Sequence, residues 1–354
     1  MSPEGPQGSV AGFAGRIVAW QASHGRSELP WQNTRDPYRV WLSEVMLQQT
    51  QVSTVLGYFV RFLERFPNVA ALAAGSEDEV FGLWSGLGYY SRARNMHRCA
   101  QEVVARFGGQ FPRSAAELQS LPGIGRSTAA AVAAFCFGER VAILDGNVKR
   151  VLTRLLAFDG DLSSAAQERL LWNEATGLLP PAEDRKAIAR YTQGLMDLGA
   201  TVCLPRKPSC MLCPVSDLCA ARSEGAPESY PVKTRKLRRS AQSLWMLLAH
   251  DASGRVWLEK RPARGIWAGL YSLPVFDSRE ALLQTLGTRD RAGARDQPAF
   301  LHVLTHKDLH LHPVAVESRA VRPLAPTGGW FAGAEWSGLG LPAPVRKLLA
   351  SERG

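Results

Sequence analysis

The chain of 354 residues reads as two domains of different class: a mostly α-helical domain over residues 1–221, then a smaller α/β domain over residues 243–354, joined by a basic linker at 222–242. Three observations carry this reading. The first domain holds capped segments with apolar residues at helical spacing and little strict alternation. Composition then shifts abruptly, with Gly225, Pro227, Pro231 and the charge run Lys233, Arg235, Lys236, Arg238 and Arg239. Beyond that run, short strand-like stretches are interspersed with helix-like ones. The length suits about two domains, each able to bury its own core. With 45% hydrophobic and 21% charged residues, disordered and fibrous classes are excluded.

In chain order, the spacing predicts helices over 38–49, 51–66, 91–107, 126–137, 146–157 and 182–199. Ser114-Ala-Ala-Glu117 has the form of a capping box and starts a short helix that ends at Leu121-Pro-Gly-Ile-Gly125, after which Arg126 opens another. Residues 114–137 thus resemble a helix-hairpin-helix. Gly123 and Gly125 permit positive φ and close backbone approach, so hairpin amides can face a phosphate and grip DNA without reading its sequence. The competing reading is a plain Pro-Gly turn between helices. Past the linker, 243–250, 256–260 and 299–305 read as strands, and 279–286 and 344–350 as helices.

Four of the six cysteines stand at Cys203-x6-Cys210-x2-Cys213-x5-Cys219, in a run that also carries Pro205, Arg206, Lys207, Pro208 and Pro214. This spacing resembles a four-thiolate clamp for an iron–sulfur cluster, the expected cofactor being a [4Fe-4S] cluster. A zinc knot or two disulfides are the alternatives. Zinc sites usually show two Cys-x2-Cys pairs, whereas only Cys210 and Cys213 are so spaced. Cys99 and Cys136 are spare thiols.

Lys and Arg outnumber Asp and Glu by 42 to 32, a net +10, which favours a polyanionic partner such as nucleic acid over a merely basic surface. The longest apolar stretch, residues 129–137, is too short to span a bilayer, and the opening Met-Ser-Pro-Glu-Gly-Pro lacks the features of an export signal. A cytoplasmic address, no membrane association and a monomeric state are expected.

Together Leu121-Pro-Gly-Ile-Gly-Arg-Ser-Thr128, Ile143-Leu-Asp-Gly-Asn-Val-Lys-Arg150, Met196-Asp-Leu-Gly199 and the cysteine spacing resemble the endonuclease III superfamily of DNA glycosylases. Within it, Leu29-Pro-Trp31, Asp36-Pro-Tyr38, Val40-Trp-Leu-Ser-Glu-Val-Met-Leu-Gln-Gln-Thr-Gln51 and Gly86-Leu-Gly-Tyr-Tyr90 resemble the adenine-specific mismatch glycosylases, the MutY family. The resemblance runs from about Phe13 to about Leu349. It implies base excision repair of adenine mispaired with 8-oxoguanine or guanine in double-stranded DNA.

Hydrolysing an N-glycosidic bond to adenine needs a proton for a poor leaving group and negative charge beside a sugar that gains oxocarbenium character. Glu44, on a helix beside Trp41, lies in an apolar setting that raises a carboxyl pKa and suits a general acid. Asp145, at the start of residues 146–150, faces helix N-terminal amides that favour the ionised form. The resemblance implies the same two roles. An exposed helix-face Glu44 and a simple N-cap Asp145 are the ordinary readings of those residue types.

The resemblance also implies that lyase members carry a Schiff-base lysine where Ser127 stands, and a hydroxyl forms no imine, so a monofunctional glycosylase is expected. Adenine must leave the stack, and Gln49 and Tyr89 match residues that insert near the mispair. Backbone contacts with DNA are expected around Leu121, Gly123, Gly125 and Ser127, with Arg92, Arg94, Lys149 and Arg150 as further phosphate partners. In the second domain, Leu258-Glu-Lys-Arg-Pro262 and Gly265-Ile-Trp-Ala-Gly-Leu-Tyr271 resemble the family's C-terminal domain, similar in fold to Nudix hydrolases. Leu283 and Gln284 replace the acidic pair a working Nudix site needs for metal. The run Phe300-Leu-His-Val-Leu-Thr-His306 aligns with a Phe-Ser-His lesion-sensing loop, supplying Leu304, Thr305 and His306.

Overall fold

The computed structural model describes residues 12–182, 185–232, 234, 239–318, 321 and 327–352. The opening hexapeptide and the linker cations Lys233, Arg235, Lys236 and Arg238 lie outside the described residues. Two compact units emerge, one comprising residues 1–59, 68–70 and 98–236, the other residues 60–67, 71–97 and 237–354.

The first unit is helical. Helices Phe13–His24, Pro37–Leu47, Arg126–Val132, Gly146–Leu155, Ala165–Gly177 and Arg185–Thr201 supply its walls. One core gathers Phe13, Ile17, Leu144, Val148, Leu152 and Tyr191. Close approach of two helices is enforced at Gly199, where a Cβ would stand 2.6 Å from the Asn147 Cβ. The expected helix over 126–137 is regular only to Val132 and continues as a π-helical turn, Ala133–Phe137.

The second unit is built on an eight-stranded mixed sheet. Its two long strands, Ser240–His250 and Lys307–Glu317, run parallel, in register from Ser240 opposite Lys307 to His250 opposite Glu317. The first of these begins at Ser240, three residues before the expected strand and inside the stretch assigned to the linker. Leu244, Met246 and Leu248 enter one core with Trp336 and Val345, whereas Leu247 and Ala249 enter another with Leu282. Helices Ala343–Ser351 and Arg279–Gln284 therefore cover opposite faces, which is why the strand reads as an apolar run rather than an alternation.

Strand Lys307–Glu317 was not legible in sequence because it contains Pro313, which cannot donate to a ladder. The structure accommodates it between two short partners: Phe300–Val303 pairs with residues 308–311, and Arg295–Asp296 with Val314 and Ala315. The missing N–H falls in the gap between them.

Candidate active site

Helix Pro37–Leu47 carries Glu44 into the first unit. Asp36 caps it by accepting from the Tyr38 amide at 2.9 Å, and Pro37 fits the first turn, where no amide donor is required. Trp41, Leu42, Val45 and Met46 are buried around Glu44. Glu44 opens on a cavity of about 490 Å³ whose walls include Arg26, Trp31, Phe135, Gln193 and Met196. By surface area it is only partly buried, since it faces this cavity, yet protein atoms crowd it. Loss of hydration, then repulsion from Asp145, pushes its carboxyl up to about 8.

Asp145 caps helix Gly146–Leu155, its Oδ1 accepting from the Val148 amide at 2.7 Å. Burial raises its pKa, while the Val148 and Asn147 amides, Arg150 and Lys149 pull the other way. The sequence expectation of an environment that simply favours the anion is corrected to this extent: burial outweighs the amides in direction. The asymmetry between the two acids survives. Asp145 receives amide donors; Glu44 receives no hydrogen bond from the described residues and feels the charge of Asp145, so the proton belongs on Glu44.

The hairpin joins these groups. Ser114 Oγ accepts from the Glu117 amide at 3.3 Å and donates to Glu117 Oε2 at 2.7 Å. Leu121 and Ile124 are buried, and Gly123 is left-handed at φ 75°. Gly125 is not: it is an extended N-cap at φ −80°, and a Cβ there would meet nothing within 4 Å, so it supplies open space rather than handedness. Ser127, half-buried, accepts from the Leu144 amide at 3.2 Å, tying the hairpin to the residue before Asp145. Gln48 Nε2 donates to Thr128 Oγ1 at 3.4 Å. The next residue, Gln49, is exposed and left-handed at φ 57°.

Several cations expected at phosphates have internal partners. Lys149 pairs with Glu168. Arg150 donates through Nε to the Cys203 carbonyl at 2.7 Å and through Nη2 to the Gly199 carbonyl at 2.6 Å. In the second unit, Arg92 donates to the Leu87 carbonyl at 3.1 Å and lies over the Trp84 and Tyr89 rings.

Cys203, Cys210, Cys213 and Cys219 line one small cavity with Arg154 and Pro208. Burial, with the neighbouring sulfurs as a further cause, pushes the Cys213 thiol up to about 11 and raises Cys219 as well. Arg154, 2% exposed, donates to Cys203 Sγ at 3.3 Å and to the carbonyls of Leu204, Pro205 and Tyr230. Among the described residues no three His, Cys, Asp or Glu side chains are arranged to hold a single ion. A cubane needs no such convergence, because each iron takes its own thiolate. Four sulfurs around one cavity, with a buried guanidinium against one of them, fit a cluster. Burial pushes Cys99 and Cys136 up to about 12, consistent with inert thiols.

In the second unit, Tyr89 Oη and Thr305 Oγ1 lie 3.0 Å apart at the mouth of a cavity of about 570 Å³, which Trp267, His302, Leu304 and His306 also line. Tyr89 is 49% exposed and left-handed at φ 47°. Among the described residues five non-glycine residues have positive φ, Gln49, Tyr89, Lys207 and Trp267 included. Such backbone strain persists where surrounding structure over-determines it, and it concentrates at functional sites.

Comparison with known proteins places this geometry in context. Residues 42–175 match the HhH-GPD superfamily of base excision DNA repair proteins, residues 203–219 the iron–sulfur binding domain of endonuclease III, and residues 244–351 a NUDIX domain. An adenine DNA glycosylase of Buchnera aphidicola subsp. Acyrthosiphon pisum is 34% identical over 95% of this chain and 96% of its own length. The chain belongs to the adenine DNA glycosylase family. The mouse adenine DNA glycosylase is 44% identical over 96% of this chain and 78% of its own length. A thermostable thymine-DNA glycosylase structure superposes with a TM-score of 0.53 at 28% identity, covering 61% of this chain and 98% of that one. As a member of the adenine DNA glycosylases the protein is a DNA-binding hydrolase of base excision repair, and its cofactor is a [4Fe-4S] cluster. No helix among the described residues is long and apolar enough to cross a membrane.

Sequence reasoning missed most of the Glu44 cavity. Arg26 forms an ion pair with Asp197 at 2.7 Å, and Gln193 donates to the same carboxylate at 3.0 Å. Asp197 is fully buried, and an acid inside the otherwise apolar Leu195-Met-Asp-Leu198 was the available signal.

Proposed function

We propose that this glycosylase hydrolyses the N-glycosidic bond of adenine mispaired with 8-oxoguanine or guanine in duplex DNA. Glu44 protonates the base, and Asp145 stabilises the developing oxocarbenium ion. The observation that carries the reading is the pair of carboxyls in one buried neighbourhood, one without hydrogen-bond donors and facing a cavity roomy enough for a base, the other held by helix amides. Raised to about 8, Glu44 keeps its proton at neutral pH and delivers it as the leaving base gains charge. Asp145 needs no proton, because its task is electrostatic.

Cys203, Cys210, Cys213 and Cys219 hold the [4Fe-4S] cluster, which, when bound, braces residues 203–219. Arg206 and Lys207 are then offered to phosphates, Lys207 from a left-handed backbone at φ 48°. Leu121, Gly123 and Gly125 present the hairpin backbone to the strand. Gln49 enters the duplex at the mispair, and Tyr89, Leu304, Thr305 and His306 meet the base opposite adenine, Thr305 with a hydroxyl suited to an oxidised purine's polar edge. Ser127 leaves the enzyme without an imine-forming lysine at this position, so strand cleavage does not accompany excision. The protein acts as a cytoplasmic monomer. Residues 1–221 are the glycosylase domain, and the lesion-recognition domain begins with the strand at Ser240, which shortens the linker expected over 222–242.

The deciding assay is single-turnover excision from duplexes bearing adenine opposite 8-oxoguanine, G, T or C, with and without alkaline workup. Excision is expected opposite 8-oxoguanine and G, with strand breaks only after alkali. Glu44→Gln should lose roughly a hundredfold or more. Excision by that variant at the parental rate overturns the general-acid reading, and efficient borohydride trapping through a lysine overturns the monofunctional one.

A further inference from the structure

We propose that Trp267 is the stacking wall of the cavity beside Tyr89 and Thr305: an indole face against which an oxidised purine lies while the hydroxyls meet its polar edge. This rests on the reading of that cavity as the lesion site and adds to it a residue that holds the base by its face.

Trp267 stands in a tight turn in which Gly265 (φ 96°) and Gly269 (φ 71°) adopt left-handed backbone at no steric cost, whereas Trp267 at φ 57° does so as a bulky L residue. The surroundings hold it there. Arg94 Nη2 donates to the Ala268 carbonyl at 2.6 Å, and Arg94 is itself fixed by Glu77 at 3.4 Å and by the Phe81 ring at 5.3 Å. The Leu270 amide closes the turn on the Trp267 carbonyl at 3.1 Å, and the Gly269 amide donates to the Pro262 carbonyl at 3.0 Å. Trp267 is half-buried, packs against the core and also lines the cavity.

The cavity's chemistry points to a flat ligand. Its aromatic lining residues include Tyr89, Trp267 and His302, and the Trp267 and His302 rings meet tilted at 49° with centroids 6.4 Å apart, an edge contact rather than a stack. Leu304 is aliphatic and offers no π-face. A planar base satisfies the indole face and the Tyr89 and Thr305 hydroxyls together, as a compact anion or an aliphatic chain would not.

The test uses the full chain and duplexes carrying 2′-fluoro-2′-deoxyadenosine, which resists excision, opposite 8-oxoguanine, guanine or a tetrahydrofuran abasic analogue, with affinity read by fluorescence anisotropy. Trp267→Leu preserves apolar bulk without an aromatic face, and Trp267→Phe preserves both. Trp267→Leu is expected to weaken binding to the 8-oxoguanine duplex about tenfold while leaving the abasic duplex within about threefold, and Trp267→Phe to stay within about threefold on both. Parental affinity of Trp267→Leu for the lesion duplex overturns the proposal, as does an equal loss on the abasic duplex or a collapse of melting temperature in both variants. Thr305→Val separates the two levels. If it lowers the preference for 8-oxoguanine over guanine while Trp267→Leu binds normally, only the stacking wall fails; if both bind normally, the lesion-site reading fails too.

Discussion

Glu44 is the residue on which the chemistry turns, and its setting sets two opposed pH trends. As a general acid it works only while protonated, so excision should be level through neutrality and fall as pH rises past about 8. Stability follows from the same shift. The folded state holds this proton more tightly than the unfolded chain, whose glutamate titrates near 4.5. The contribution is therefore fully present below about pH 4.5 and lost as pH rises to about 8. Glu44→Gln should melt about 5 °C or more above the parent at pH 8, and the gap should close toward pH 4.5. Thermal melts at four or five pH values check this, and a pH-independent gap would count against the buried acid. The candidate acids themselves were legible because each sits in a distinctive local pattern. The internal partners of Arg94 and Arg150 were not legible, since a cation's partner lies elsewhere in the chain and local sequence cannot show whether it is a carbonyl or a solvent-facing anion.

At the scale of elements, helix Gly146–Leu155 begins with the catalytic candidate Asp145 and ends at the cysteine loop. Arg154 binds one sulfur and three carbonyls there from a fully buried position. Arg154→Met keeps much of the stem but leaves those acceptors without a donor, so it should cost about 2–5 kcal/mol and lower the iron retained on purification. Calorimetry and iron content measure the two effects. Parental values for both would remove Arg154 from the loop's support. The helices at 37–47, 52–65, 90–107, 146–155 and 185–201 and the hairpin were readable from capping and period, whereas Phe13–His24 and Ala165–Gly177 were not read. The π-helical turn was not, because an apolar run such as Ala-Ala-Phe-Cys-Phe is equally compatible with regular helix, and only tertiary packing selects the wider turn that brings Phe135 to the cavity. Pro313 hid a central strand for a similar reason: its tolerance depends on where two partner strands stop.

For the molecule as a whole, the division into compact units departs from chain order. Residues 60–67 and 71–97 belong with residues 237–354. Within that unit Tyr90 Oη donates to the Leu341 carbonyl at 3.0 Å, Arg346 Nε donates to Ser85 Oγ at 3.0 Å, and Lys260 pairs with Asp78 at 2.5 Å. A chain cut after residue 236 should therefore lose more than lesion preference. It should melt lower by several degrees and bind more of a hydrophobic dye, because one face of the helices over 77–97 loses its cover. An unchanged melting temperature would show that those helices are sufficient alone. Sequence periodicity marked the helix over 91–107 but left Glu77–Trp84 unread, and it carries no record of which distant surface meets either.

That discontinuous unit has a consequence during synthesis. Between His97 and Leu237 lie 139 residues, and at roughly 5–20 residues per second a ribosome needs about 7 to 28 s to cross them. For that interval the nascent segment 71–97 has emerged without its partners. Phe81, which later packs beside Gly269 and Gly340, is without that cover meanwhile, the period in which a chaperone has most to protect.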